Sequence, residues 1–130
     1  MPVIGQFSIV VDDYDDAIAF YCNKIGFDLI EDTDMGNGKR WVLIAPPRAP
    51  VNATRILLAR AVNDTQKRAV GQQTGGRVGF FLMTDDFKTD HARMAENGVR
   101  FLEAPRHEPY GIVAVFEDLY GNKWDLLQPA

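Results

Sequence analysis

One cysteine, Cys22, is all the thiol this chain of 130 residues carries. No disulfide can form within it, which suits a reducing compartment. Long apolar runs are also missing: the longest, such as VLIAPP, fall far short of the roughly 20 residues a membrane-spanning helix needs. Nor does the N-terminus, which soon reaches Asp12 and Asp13, show a basic stretch followed by a long apolar segment. A soluble, unexported, cytoplasmic protein is expected. Positive charge is in deficit, with 14 Lys and Arg against 18 Asp and Glu, a net charge of −4 and a pI near 5.0. Because the basic residues are scattered, neither nucleic acid nor an acidic membrane is an expected partner. No block of low complexity interrupts the chain. What remains is 46% hydrophobic, enough material for one compact domain with a core.

The segment QFSIVVDDYDDAIAFYCNKIGF opens with a β-branched and aromatic run and passes the acidic start signal Asp12-Asp13. It then places Tyr14, Ala17, Ile18, Tyr21, Cys22 and Ile25 at helical spacing, with Gly26 as the stop. FDLIED, RWVLIAP and ATRILLARA follow as three strands separated by Gly-Asn-Gly and a Pro-rich loop. The first half therefore reads β-α-β-β-β.

The second half repeats the scheme. GRVGFFLMTDDFKTDHARMAENGVRF supplies a strand, the pair Asp85-Asp86, and a helix with Phe87, His91, Met94 and Ala95 on one face before Gly98. VRFLEAP, GIVAVFED and KWDLLQ supply three more strands. Asp13 corresponds to Asp86, Tyr14 to Phe87 and Tyr21 to Met94, the order-preserving similarity of two structurally equivalent halves. Between them, Asp64 to Val70 reads as a short helix before a Gly-rich connector. GQQTGGRV has neither the preceding strand nor the Lys of a phosphate-binding loop.

The pair VVDDYDDAIAFYCNKIGF and VFEDLYGNKWDLLQ resembles the glyoxalase, bleomycin-resistance and extradiol-dioxygenase group, the vicinal oxygen chelate proteins, over nearly the whole chain. The resemblance implies an α+β fold: a single domain of two βαβββ modules, about 1–62 and 77–130 with a linker about 63–76, whose sheets form open half-barrels around a cavity, commonly completed by dimerisation. A homodimer is accordingly expected. In enzymes of this group a divalent metal is held from the first and last strands of each module. Those positions fall here on Gln6, Leu57, Gly79 and Asp125, which together provide one amide and one carboxylate. A catalytic zinc generally asks for about three imidazole, thiolate or carboxylate ligands, so no metal or other cofactor is expected.

Strand alternation under this resemblance turns Trp124 and Leu126 toward the helices, and Asp125 and Leu127 toward the cavity. By the same parity Gln6, Ser8, Arg55, Leu57, Arg77, Gly79, Phe81 and Met83 face inward. Arg55 and Arg77 are candidate partners for Asp125 or for an anionic ligand. Trp41 could stack on a planar ligand, and equally fill a core or dimer interface. Tyr110, beside Gly111, could close over a ligand or pack its own loop. Asp125 is either a ligand contact or a hydrogen-bonded remnant of a metal-binding ancestor. His91 reads as a boundary or satisfied core histidine, His107 and Glu108 as a solvated loop, and Cys22 as a small buried hydrophobe.

Three classes of function follow. The first is a metal-independent small-molecule-binding protein of the sequestering or resistance type, with Trp41, Phe81, Met83 and Tyr110 as apolar lining and Gln6, Arg55, Arg77 and Asp125 as polar anchors. The alternative is a lyase, isomerase or dioxygenase with a rebuilt metal site or with Asp125 as general base. A structural or regulatory dimer with a vestigial cavity is a third.

Overall fold

Asp13 leaves the first strand in an extended conformation and its carboxylate accepts the Asp16 N–H at 2.9 Å, so the chain turns at once into a helix. In the computed structural model, which describes residues 1–130, β1 is Gln6–Val11 and α1 is Tyr14–Ile18. The helix does not stop there. It continues with widened, π-helical turns over Ala19–Ile25, whose last bond runs from the Gly26 N–H to the Tyr21 carbonyl, and Gly26 ends it at φ 102°. β2 (Asp28–Gly36), β3 (Lys39–Ala45) and β4 (Arg55–Arg60) complete a sheet of order β1-β4-β3-β2, with β1 and β4 parallel. α1 packs on β4, and Ile9, Val42, Ile44, Leu58 and Tyr21 between them are fully buried. Burying a side chain of this kind contributes about 1.5–3 kcal/mol. Asn63 caps α2 (Asp64–Ala69) through the Gln66 N–H, and α2 rests on β1.

Residues Met1–Val70 form one compact unit and Gly71–Ala130 a second. The second is built on the same plan: β5 (Phe80–Met83), α3 (Phe87–Glu96) capped by Asp86, β6 (Arg100–Phe101), β8 (Gly111–Glu117) and β9 (Lys123–Pro129), in the order β5-β9-β8-β6. β5 and β9 are parallel, as β1 and β4 are. Neither sheet closes into a barrel, and the fold is α+β with the repeated βαβββ arrangement. The Gln128 side chain accepts the Phe87 N–H at 2.7 Å and so ties the start of α3 to β9. Under α3 runs a chain of rings, from Phe87 to His91, Phe101, Phe116, Trp124 and Phe80, with successive centroids 4.1–5.8 Å apart. No helix is long and apolar enough to cross a membrane.

Three local readings of the sequence are corrected here. His107 and Glu108 are not in a solvated loop: Arg106–Glu108 forms a short strand, β7, antiparallel to β8. Between β6 and β7 the chain bulges, and there the Glu103 side chain takes the Val115 N–H at 3.1 Å in place of a ladder bond. His91 is wedged between Phe87 and Phe101, and its Nε2 is buried without a hydrogen-bond partner, so it is not a satisfied histidine. Cys22 is half-buried rather than fully buried; burial first and the nearby Asp28 charge second push its thiol pKa up, which makes it a poor nucleophile.

Gly111 stands at φ 146°, and a Cβ there would lie 2.1 Å from the backbone oxygen of Gln128. No other residue lets the strands approach so closely where β8 begins and β9 ends.

Candidate functional site

In the second unit the strand register lays out two faces. Phe80, Trp124 and Phe116 point under the helix, and Trp124 is only 3% exposed. The opposite face carries Phe81, Asp125 and Val115 side by side across β5, β9 and β8, and then Met83, Leu127 and Val113 in the next row. Phe81 and Met83 are 58% and 53% exposed, so this face is an open apolar surface with one carboxylate in its centre.

That carboxylate lacks a protein partner. Asp125 Oδ1 is buried and makes no hydrogen bond. Loss of solvent raises its pKa above the ordinary carboxylate value; the Arg106 cation pulls it down and the Glu103 charge pushes it up again. The cation nearest in effect is thus Arg106, from β7, and not the expected Arg55 or Arg77. Arg106 is itself clamped: Nε lies 3.0 Å from both oxygens of Glu103, and Nη1 2.8 Å from Glu108 Oε1. Hydrogen bonds to Glu103, Tyr110 and Glu108 hold its pKa further above the usual value. With its Nε and Nη1 committed to these neighbours, Arg106 acts on Asp125 through its field while Oδ1 stays without a donor. The arrangement can accept a hydrogen bond from an N–H or O–H on a ligand whose apolar part lies over Phe81, Val115 and Leu127.

The other sequence candidates are distributed as follows. Arg77 lies short of β5, exposed, with its backbone carbonyl accepting the Thr74 hydroxyl at 2.6 Å. Tyr110 is exposed at the entrance to β8, where its hydroxyl helps to raise the pKa of Arg106. In the first unit, Ser8, Leu57 and Leu43 form one row across β1, β4 and β3, with Gln6 beside Arg55, on the face away from fully buried Ile9, Leu58 and Val42. Trp41, half-buried, lies on that same face near the start of β3, and Arg55 donates to the Val51 carbonyl at 3.3 Å. Arg106 was missed because it belongs to the segment read as loop, and Glu103 because it was read as part of a strand that in the structure ends at Phe101. The signal was there in the alternation of Arg106 and Glu108 around His107, which places both charges on one face.

The positions at which the family holds a metal do not fit one. Leu57 offers no donor, and at Gly79 a Cβ would meet Thr74 Cγ2 at 2.2 Å, so any side chain there must displace the threonine and its hydrogen bond to Arg77. No three side chains of His, Cys, Asp or Glu gather anywhere as a metal-holding group.

Comparison with known proteins agrees with this architecture. Residues 3–126 match the model of the Glyoxalase/Bleomycin resistance protein/Dioxygenase superfamily. An uncharacterized protein of Shewanella frigidimarina is 53% identical over 96% of this chain and 92% of its own, and the Bacillus subtilis protein YurT is 31% identical over 93% and 94%. Among solved structures, TnmS3, an antibiotic binding protein from a Streptomyces species, superposes with a TM-score of 0.78 at 34% identity, covering 100% of this chain and 98% of that one. The sequence pattern, the twice-built βαβββ plan and these likenesses lead to one conclusion: the chain belongs to the glyoxalase/bleomycin resistance protein/dioxygenase superfamily.

Proposed function

We propose that this protein binds and sequesters a small organic molecule without using a metal. The observation that carries the reading is the buried, unpartnered Asp125 Oδ1 at the centre of an exposed apolar sheet face. A buried acceptor left without a donor costs about 1–3 kcal/mol, which a ligand N–H or O–H recovers on binding. The misfit of Leu57 and Gly79 to metal ligation supports metal independence, and the likeness to an antibiotic binding protein supports a resistance-type role in the cytoplasm. The ligand class that suits the site has an apolar body and a hydroxyl or amine donor.

The test is a thermal-shift screen of such compounds against the protein as purified and after chelator treatment, with elemental analysis alongside. A ligand at a hundred times its dissociation constant should add about 2.7 kcal/mol of stability, equally in both samples. One tightly held equivalent of zinc or nickel, or a shift abolished by chelator, would sink the metal-independent reading. The raised pKa of Asp125 favours a second reading, a metal-free enzyme with Asp125 as general base. Mass spectrometry of the recovered ligand separates the two, since a sequestering protein returns it unchanged.

The homodimer is part of the same proposal. β1 and β5 are edge strands of their sheets and carry exposed Phe7, Phe81 and Met83, surface that an oligomer covers. Sedimentation velocity should show a dimer at tens of micromolar; a clean monomer would refute it.

A further inference from the structure

Where β3 begins and β4 ends in the first unit lies a pocket of about 340 Å³, with Tyr14, Lys39, Trp41, Leu57 and Arg60 in its lining. The volume is within the range of small-ligand sites. Two guanidinium groups flank the Tyr14 ring, Arg40 at 5.2 Å and Arg60 at 5.5 Å from its centroid. Their situations differ. Arg40 is saturated: its Nη1 pairs with Asp15 at 2.8 Å, its Nη2 and Nε pair with Asp32 at 2.7 and 3.1 Å, and its backbone N–H donates to the Tyr14 hydroxyl at 3.1 Å, which fixes the ring. Arg60 has no carboxylate and no hydrogen-bond acceptor. It is nevertheless held in place, between the Tyr14 ring and the β2–β3 turn, where a Cβ on Gly38 would come within 3.3 Å of its Nη2. Lys39, on the same rim, is also without an ion pair. The pocket thus presents a positioned planar fork of donors, a second cation, and the indole of Trp41.

We propose that this pocket is a binding site for an aromatic carboxylate, whose carboxylate takes the free fork of Arg60 and whose ring lies on Trp41. A carboxylate matches the guanidinium edge in a bidentate pair, and Lys39 adds charge without geometric demand. The aromatic part is suited by Trp41 and Leu57, which contribute apolar surface to the same lining as the cations. A nucleotide or polyphosphate is a poorer match, because Asp15 and Asp32 stand close by on Arg40 and oppose a larger negative charge. The site is independent of the Asp125 face, and its failure would leave the sequestering function as it stands.

The test uses 2-naphthoate and its neutral isostere 2-naphthamide with the full chain, by calorimetry and by the two indole N–H resonances of Trp41 and Trp124. The acid should bind at least tenfold tighter than the amide and shift the Trp41 resonance while leaving buried Trp124 in place. Arg60→Gln should erase the preference for the acid, and Arg60→Lys should retain part of it. Lys39→Gln, at an exposed position that does not bear on folding, should weaken the acid two- to threefold and guards against a variant of Arg60 that fails to fold. Equal affinity for acid and amide, an acid preference untouched by Arg60→Gln, or the absence of binding by either compound would each overturn the proposal.

Discussion

Asp125→Asn should lower the affinity for the best ligand of the thermal-shift screen by roughly ten- to a hundredfold, the loss expected when a hydrogen bond to a charged group worth about 1.5–3 kcal/mol disappears. Its melting temperature should stay level or rise. The sign follows from the direction of the pKa shift. Folding raises the Asp125 pKa, so the folded state disfavours the carboxylate that the unfolded chain ionises freely. Below the unfolded-state pKa the acid is protonated in both states and no penalty exists. As pH climbs through the unfolded value and then the folded one, the penalty grows to its full size and remains. Asn resembles the protonated acid at every pH, so its advantage over wild type should be absent in acid and complete at neutrality. Paired melting curves across that range check the sign. Asp125→Leu should keep or raise stability, because Phe81, Val115 and Leu127 offer it an apolar setting. Unchanged ligand affinity in both variants would remove Asp125 from the site and leave it as scaffold.

Asp118→Ala should be the most damaging single change in the second unit. Asp118 and Asn122 are 4% and 3% exposed, and the Asp118 carboxylate accepts the N–H groups of Tyr120 and Asn122, both at 2.9 Å, and the Asn122 side-chain amide at 2.8 Å. The backbone closes the same turn, from the Asp118 N–H to the Asn122 carbonyl at 2.9 Å. Removing the carboxylate strands the two buried donors of Asn122 and the half-buried Tyr120 N–H beside an Asn122 Oδ1 that already has no partner. Breaking a buried charged network of this kind costs about 3–5 kcal/mol, a large share of the roughly 5–15 kcal/mol that holds a domain together. Urea denaturation of the variant is the measurement, and a loss under about 1 kcal/mol would show that solvent reaches the turn. Because this turn sets the register of β9, it also places Asp125 beside Phe81 and Val115. Asp118→Asn should be milder, since it keeps the shape and one acceptor.

What the sequence determined by itself was local. Asp13 and Asp86 cap their helices as the acidic pairs announced, Gly26 and Gly98 follow the helix ends at φ 102° and 92°, and the alternation through KWDLL puts Trp124 and Leu126 in the core. Each of these is decided within a few residues, by a side chain's reach to the next turn or by the two-residue period of a strand, so it can be read along the chain. The repeat of the two halves is a sum of such local signals, and the family followed from it. The surroundings of Asp125 were another matter. Arg106 and Glu103 meet its field because β7 folds back on β8, where Glu103 also satisfies the Val115 N–H across the sheet. Thr74 closes the space at Gly79, and Arg60 is left unpaired over Tyr14 while Arg40 takes both nearby acids. Which charges are paired and which are left free depends on the distance between residues far apart in sequence, and only tertiary packing sets that distance.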